Sequence, residues 1–188
     1  MDVKEIKLTD ILIKLTDILT IKKWTEFEKE IYERSGLDTS IYPTNGISIT
    51  DNKQWANSLC PAIKGNKKGL SFICAVANQY MTQEVSQTRK PFVEECDAGL
   101  ARIAVPIFVG DKFLGTVGAC GRFLDGSEVE AFLVNKTTGI DEDKIRSLSI
   151  DVSRMTSDEA EEIANYIDKR IKEIVLEFEN KGGETKAQ

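Results

Sequence analysis

Four cysteines, Cys60, Cys74, Cys96 and Cys120, are the residues of this 188-residue chain best equipped for chemistry, and histidine is absent. A thiolate is a nucleophile and a soft metal ligand, and four of them form a full ligand set for tetrahedral zinc or for an iron–sulfur cluster. None of the spacings is the short Cys-x-x-Cys that makes metal motifs specific. Three readings therefore stand side by side: ligands of zinc or an iron–sulfur cluster, redox-sensing thiols, and inert core residues, since free cysteine packs as a small hydrophobe. The absence of histidine removes the usual general base and every Cys-His or Ser-His dyad. A thiol-dependent enzyme using any of the four would lack the partner that activates its nucleophile, so the chain is read as non-enzymatic. Glu94 and Asp97 bracket Cys96. On a strand Glu94 and Cys96 share a face, where a carboxylate can accept hydrogen bonds from ligand hydroxyls.

The elements that must position these groups belong to a chain of ordinary globular composition, 41% hydrophobic and 30% charged, which argues against disorder and fibrous structure. A net charge of -6 with no Lys/Arg cluster excludes broad phosphate contact, so no nucleic acid is expected as a partner. No apolar run reaches the ~20 residues of a membrane span, and Met1 to Lys7 lack the pattern of a secretion signal. A cytoplasmic location follows as an expectation, and with it reduced thiols rather than disulfides.

Residues 7–12 and 14–19 repeat Lys-Leu-Thr-Asp-Ile-Leu with a period of seven. That places Leu8, Ile11, Leu15 and Ile18 on one helical stripe, packed either on its own domain or against a second copy in a homodimer. A second helix carrying Trp24, Phe27 and Ile31 ends near Gly36, and Asn45-Gly46 predicts a hairpin between Thr39 and Thr50. Gln54 to Ile63 reads as a short helix and Leu70 to Thr88 as a longer one, with Ile73, Val76, Ala77, Tyr80 and Met81 on its apolar face. Trp55 and Tyr80 are read as core.

From Arg102 to Val109 and from Lys112 to Cys120 the period is two around a Gly110-Asp111 turn, which predicts an antiparallel hairpin. Pro106 confines its strand to an edge or a bulge at that point. Helices follow at Glu128 to Thr138, after Asp141, and from a capping box at Thr156 and Glu159 onward, where Ile163, Ile167, Ile171, Ile174 and Phe178 form a stripe. The predicted division is a helical segment over residues 1–35, a sensory domain over 36–180 and a disordered tail over 181–188.

The run Pro91-Phe-Val-Glu-Glu-Cys96-Asp-Ala-Gly-Leu100, the strand Ile103-Ala-Val-Pro-Ile107 and the Gly-rich return Phe113-Leu-Gly-Thr-Val-Gly118 resemble the signature of PocR-type sensory domains. Leu59-Cys60-Pro61 and Ile73-Cys74-Ala75 occupy the places of that family's upstream cysteines, and the resemblance spans roughly residues 16–178. Asp97 stands where many members carry histidine, so no imidazole serves there. The resemblance implies an α+β, PAS/GAF-like, mainly antiparallel sheet flanked by helices, with long N- and C-terminal helices. It further implies a pocket for a small organic ligand such as a diol. Cys74, Glu94, Cys96, Asp97, Gly118 and Cys120 would then touch the ligand, and a separate signalling protein would read the output.

Overall fold

The computed structural model describes residues 13–184. Its elements in chain order are α1 (Leu15–Ile18), α2 (Ile21–Ser35), β1 (Asp38–Pro43), α3 (Leu59–Gly65), α4 (Lys67–Gly69), a π-helical turn (Leu70–Cys74), α5 (Ala75–Thr88), β2 (Phe92–Glu95), β3 (Ala101–Val109), β4 (Lys112–Leu124), α6 (Ala131–Thr138), α7 (Glu142–Leu148), β5 (Arg154–Met155) and α8 (Ser157–Glu184). The strands lie in the order β1-β4-β3-β2, all antiparallel, and β5 adds a short parallel pairing to the end of β4. The fold is α+β, with the PAS/GAF-like mixture of open sheet and flanking helices that the resemblance implies.

Alternation along the strands divides the sheet into two unlike faces. On one face Thr39 and Ile41, Val117 and Ala119, Ile103 and Val105 pair in register across β1, β4 and β3. Ile41, Val117, Ala119, Ile103 and Val105 form one core with Trp24, Phe27 and Ile31 of α2 and Ala160, Ala164, Ile167, Ile171 and Ile174 of α8. The opposite face carries Asp38, Cys120, Arg102 and Glu94 in one register row, then Ser40, Gly118, Ala104 and Phe92 in the next. Helix α5 covers part of it, with Met81 and Val85 packed on Ala104.

The hairpin of β3 and β4 forms in the expected register, Arg102 opposite Cys120 and Val109 opposite Lys112. Pro106 sits where the sequence requires: β2 pairs only as far as Ala104, so β3 is an edge at Pro106 and loses no ladder bond there. The capping box at α8 also forms, the Thr156 amide donating to Glu159 Oε2 at 2.7 Å and the Glu159 amide to Thr156 Oγ1 at 3.0 Å.

Several expectations require correction. The hairpin over Thr39–Thr50 has only its first arm, because Glu28 of α2 takes the Ile41 amide at 2.9 Å and leaves just one cross-chain bond, Ile49 N–H to the Ile41 carbonyl at 3.1 Å. The long N-terminal helix is α2, and a short α1 precedes it, set apart where Leu19 and Thr20 are extended and the Thr20 hydroxyl caps α2. Leu15 and Ile18 are buried in this domain's own core, and the Trp24 indole donates to the Leu15 carbonyl at 2.9 Å. They are therefore taken from the stripe expected to meet a second copy, while Leu8 and Ile11 lie outside the described residues. The helix at 54–63 starts later, at Leu59. On α5, Val76 and Tyr80 face solvent rather than the core. Residues 181–184, expected in the tail, continue α8, and 185–188 lie outside the described residues.

Glu28 joins α2 to β1 and, through the Thr50 hydroxyl at 2.5 Å, to the loop beyond it. The side chain is fully buried, its Oε2 has no hydrogen-bond partner, and burial raises its carboxyl above the ordinary value of 4.5. A raised folded-state value contributes stability that is complete below the unfolded value and is lost as pH climbs through the folded one. Gln at this position keeps the acceptor for Ile41 and Thr50 and cannot ionise. The melting temperature of Glu28→Gln relative to wild type should therefore rise as pH climbs from about 4.5 through the raised folded-state value. Parallel pH profiles for the two proteins would contradict the assignment.

Candidate functional site

Two residues of the polar row, Cys120 and Arg102, form the floor of a small cavity. Cys120 lies at the centre of the row on β4, with Asp38 opposite on β1 and Arg102 opposite on β3. A second core closes it from above: Leu59 and Ile63 of α3, Ile73 of the π turn, and Ala98 and Leu100 of the loop after β2 pack on Val134 and Ile145 of α6 and α7. The four cysteines, Lys64 and Arg102 line the cavity between these layers, with Ile63, Ile73, Ala98 and Leu100 as its apolar wall.

Cys120 is placed by strand register, and the other three cysteines by local devices. Cys60 sits in the first turn of α3, where buried Asn57 accepts the Cys60 amide at 2.7 Å, donates to its sulfur at 3.5 Å and donates to the Gly121 carbonyl at 2.6 Å. One asparagine thus ties α3 to β4. Gly121 allows this approach, since its φ is +117° and a Cβ there would stand 2.6 Å from that of Ala56. Cys74 ends the π turn, whose widened ladder is seen in the Ala75 amide bonding the Leu70 carbonyl five residues back. Such turns recur at functional sites. Cys96 begins a tight turn in which its amide meets the Leu100 carbonyl at 2.9 Å and its carbonyl meets the Gly99 amide at 2.8 Å.

The expected convergence of the four cysteines on one cavity is thus observed. Among the described residues, however, no group of three or more His, Cys, Asp or Glu side chains is arranged to hold a metal ion. Of the other expected ligand contacts, Glu94 and Asp97 are exposed and do not line the cavity. Glu94 lies on the row but at its solvent edge, its carboxylate accepting the Glu95 amide at 3.2 Å. Gly118 lies beside the cavity: a Cβ there would come within 3.0 Å of the Tyr42 ring and 3.6 Å of the Arg102 guanidinium, so the missing side chain is the space those two occupy. Trp55 packs on the second core and holds the Lys64 ammonium 5.0 Å from its ring centroid.

Sequence reasoning missed the cations. Lys64 donates to Asp38 Oδ2 at 2.7 Å, a pair largely withdrawn from water. Burial alone would discharge Lys64, but the hydrogen-bonded carboxylate of Asp38 opposes it and the ammonium stays protonated. Arg102 is 5% exposed and donates to Asn78 Oδ1 of α5 at 2.7 Å. One signal was present: Arg102 is the single charged residue in the run Ala101–Val109, and a charge inside an apolar strand must be partnered or facing something polar. Lys64, on a helix surface with other lysines nearby, carried none.

The space open to the centre of a water molecule in this cavity is about 20 Å³, against the roughly 10–15 Å³ one water requires. A larger guest therefore needs the helical layer to give. Burial raises the Cys60 and Cys96 thiols and pushes Cys74 up to about 11. These three are neutral thiols at neutral pH, unlike the low-pKa cysteine of a thiol enzyme. Alkylation of the native protein by iodoacetamide, followed residue by residue with mass spectrometry, should be slow at Cys60, Cys74 and Cys96 near pH 7 and quicken toward about pH 10. Fast modification of any of the three at neutral pH would contradict this.

A family model described as the sensory domain found in PocR matches residues 17–177. No curated protein and no solved structure matches the chain. The matched span runs from α1 to α8 and takes in both layers of the cavity and every cysteine. The chain belongs to the PocR sensory-domain family.

Proposed function

We propose that this protein is a non-enzymatic sensor whose small organic ligand occupies the cavity between the Asp38–Cys120–Arg102 row and the helical layer carrying Cys60 and Cys74. The observation that carries the reading is the cavity itself: enclosed, walled by apolar side chains and thiols, and provided with a few convergent polar groups, the common make-up of small-molecule sites. The family match supports a sensory role. Among the described residues no helix is long and apolar enough to cross a membrane, which is compatible with a cytoplasmic sensor.

The sheet offers a route from ligand to output. Arg102 faces the cavity while its neighbours Ala101 and Ile103 belong to the core that holds α8. A guest that presses on β3 from one side shifts the seat of α8 on the other, and a separate signalling protein reads the position of that helix. Binding then biases two packings that already exist.

Zinc or an iron–sulfur cluster is the second reading, favoured by four sulfurs and two cations around one cavity. It requires the sulfurs to draw together as thiolates, against the burial that keeps three of them neutral. Protein purified without oxygen and examined by absorption spectroscopy and metal analysis should be colourless and free of stoichiometric zinc or iron if the organic ligand is the occupant. Thermal-shift screening of that protein against short diols, aldehydes and organic acids should then reveal compounds that raise the melting temperature. The response should vanish in Cys74→Phe, where a ring fills the cavity. Stabilisation that persists undiminished in a folded Cys74→Phe protein would place the ligand elsewhere.

A further inference from the structure

The charges around the cavity do not balance. Lys64 is matched by Asp38 at 2.7 Å. Arg102 is equally part of the wall and more deeply buried, yet none of the ion pairs among the described residues includes it. Its identified acceptor is the neutral Asn78 Oδ1. The nearest carboxylate by register, Glu94 on β2, turns to its own backbone at the solvent edge. Three of the four surrounding thiols are held neutral by burial. A guanidinium carries five N–H donors in a planar fork that fits a carboxylate with two parallel bonds. A buried cation left without a counter-charge is strongly destabilising, so an anionic guest that pairs with Arg102 gains by supplying the missing compensation.

From this geometry we infer that the ligand bears an anionic group, a short-chain carboxylate, that is received by Arg102 on the cavity floor, with the carbon chain directed toward Ile63, Ile73 and Leu100. The inference rests on the cavity being the ligand site, as proposed above. It departs from the neutral diol that the family resemblance implies. The small space available favours an acid of a few carbons over a longer chain. Asn78 supports the arginine by fixing the Nη2 end of its fork from α5, leaving the remaining donors for the guest. Because Asn78 lies on α5, which continues directly from the π turn over the cavity, the same contact links occupancy to the position of α5.

The test compares acids with their primary amides, which match them closely in shape and differ in charge. Isothermal titration of the full chain with acetate, acetamide, propionate, propionamide and propane-1,2-diol should show the carboxylates binding at least about tenfold more tightly than the amides. Arg102→Gln should erase that preference, and Arg102→Lys, which keeps the charge but not the fork, should fall between. Should Arg102→Gln fail to fold, the wild-type comparison and Arg102→Lys still decide the matter. Amides or the diol binding as tightly as the acids would overturn the inference while leaving the ligand site standing. Absence of carboxylate binding altogether would overturn it as well. So would a sulfur anion at Cys120 in the free protein, seen as ultraviolet thiolate absorbance that disappears in Cys120→Ser, because Arg102 would then have its counter-charge already.

Discussion

The pairing of β4 with β1 on one side and β3 on the other is the constraint on which the remaining structure depends. It places Asp38, Cys120 and Arg102 in one row across three strands. Because successive side chains alternate, the same register sends Ala119, Ile103 and Ile41 into the apolar core under α2 and α8. A slip of one residue would bury the charged row against α8 and expose the core, so the apolar face enforces the geometry of the polar one. The cavity's floor is thereby backed directly by the main core that seats α8, while its roof is built from α3, the π turn and the second core.

Electrostatics gives that cavity its character. Removing one partner of a buried charge pair costs about 3–5 kcal/mol, which is why Lys64 without Asp38, or Arg102 without any counter-charge, bears on stability as well as binding. The thiols contribute differently. Raised by burial, Cys60, Cys74 and Cys96 act as neutral, polarisable walls that tolerate a guest of varied shape better than branched aliphatics. The protein thus combines a fixed charge below with soft surfaces around it.

The sheet and its hairpin were legible in the sequence because β3 and β4 alternate cleanly around a two-residue turn, and α8 because a capping box precedes a long apolar stripe. The cysteines' convergence was legible only through the family signature, since no spacing rule brings positions 60, 74, 96 and 120 together. What escaped was tertiary. Nothing local says that Glu28 reaches thirteen residues ahead to occupy the Ile41 amide and cancel a hairpin arm. Likewise Glu94 and Asp97 read as ligand contacts by proximity to Cys96, yet the strand ends at Glu95 and the turn that follows leaves both carboxylates in solvent. Arg102, one strand away, was the residue facing inward.

The proposed function stands or falls on whether a small organic ligand binds on the Cys120–Arg102 floor. Backbone amide chemical shifts of nitrogen-15-labelled protein, recorded while short acids, aldehydes and diols are titrated in, test it most directly. The largest changes should fall at Cys74, Asn78, Ala98 to Arg102 and Gly118 to Gly121, with smaller ones relayed along α8. Changes confined to the groove bounded by Ile13, Asn45 and Phe113, or to the one between Phe108 and Leu176, with the cavity amides unmoved, would contradict it.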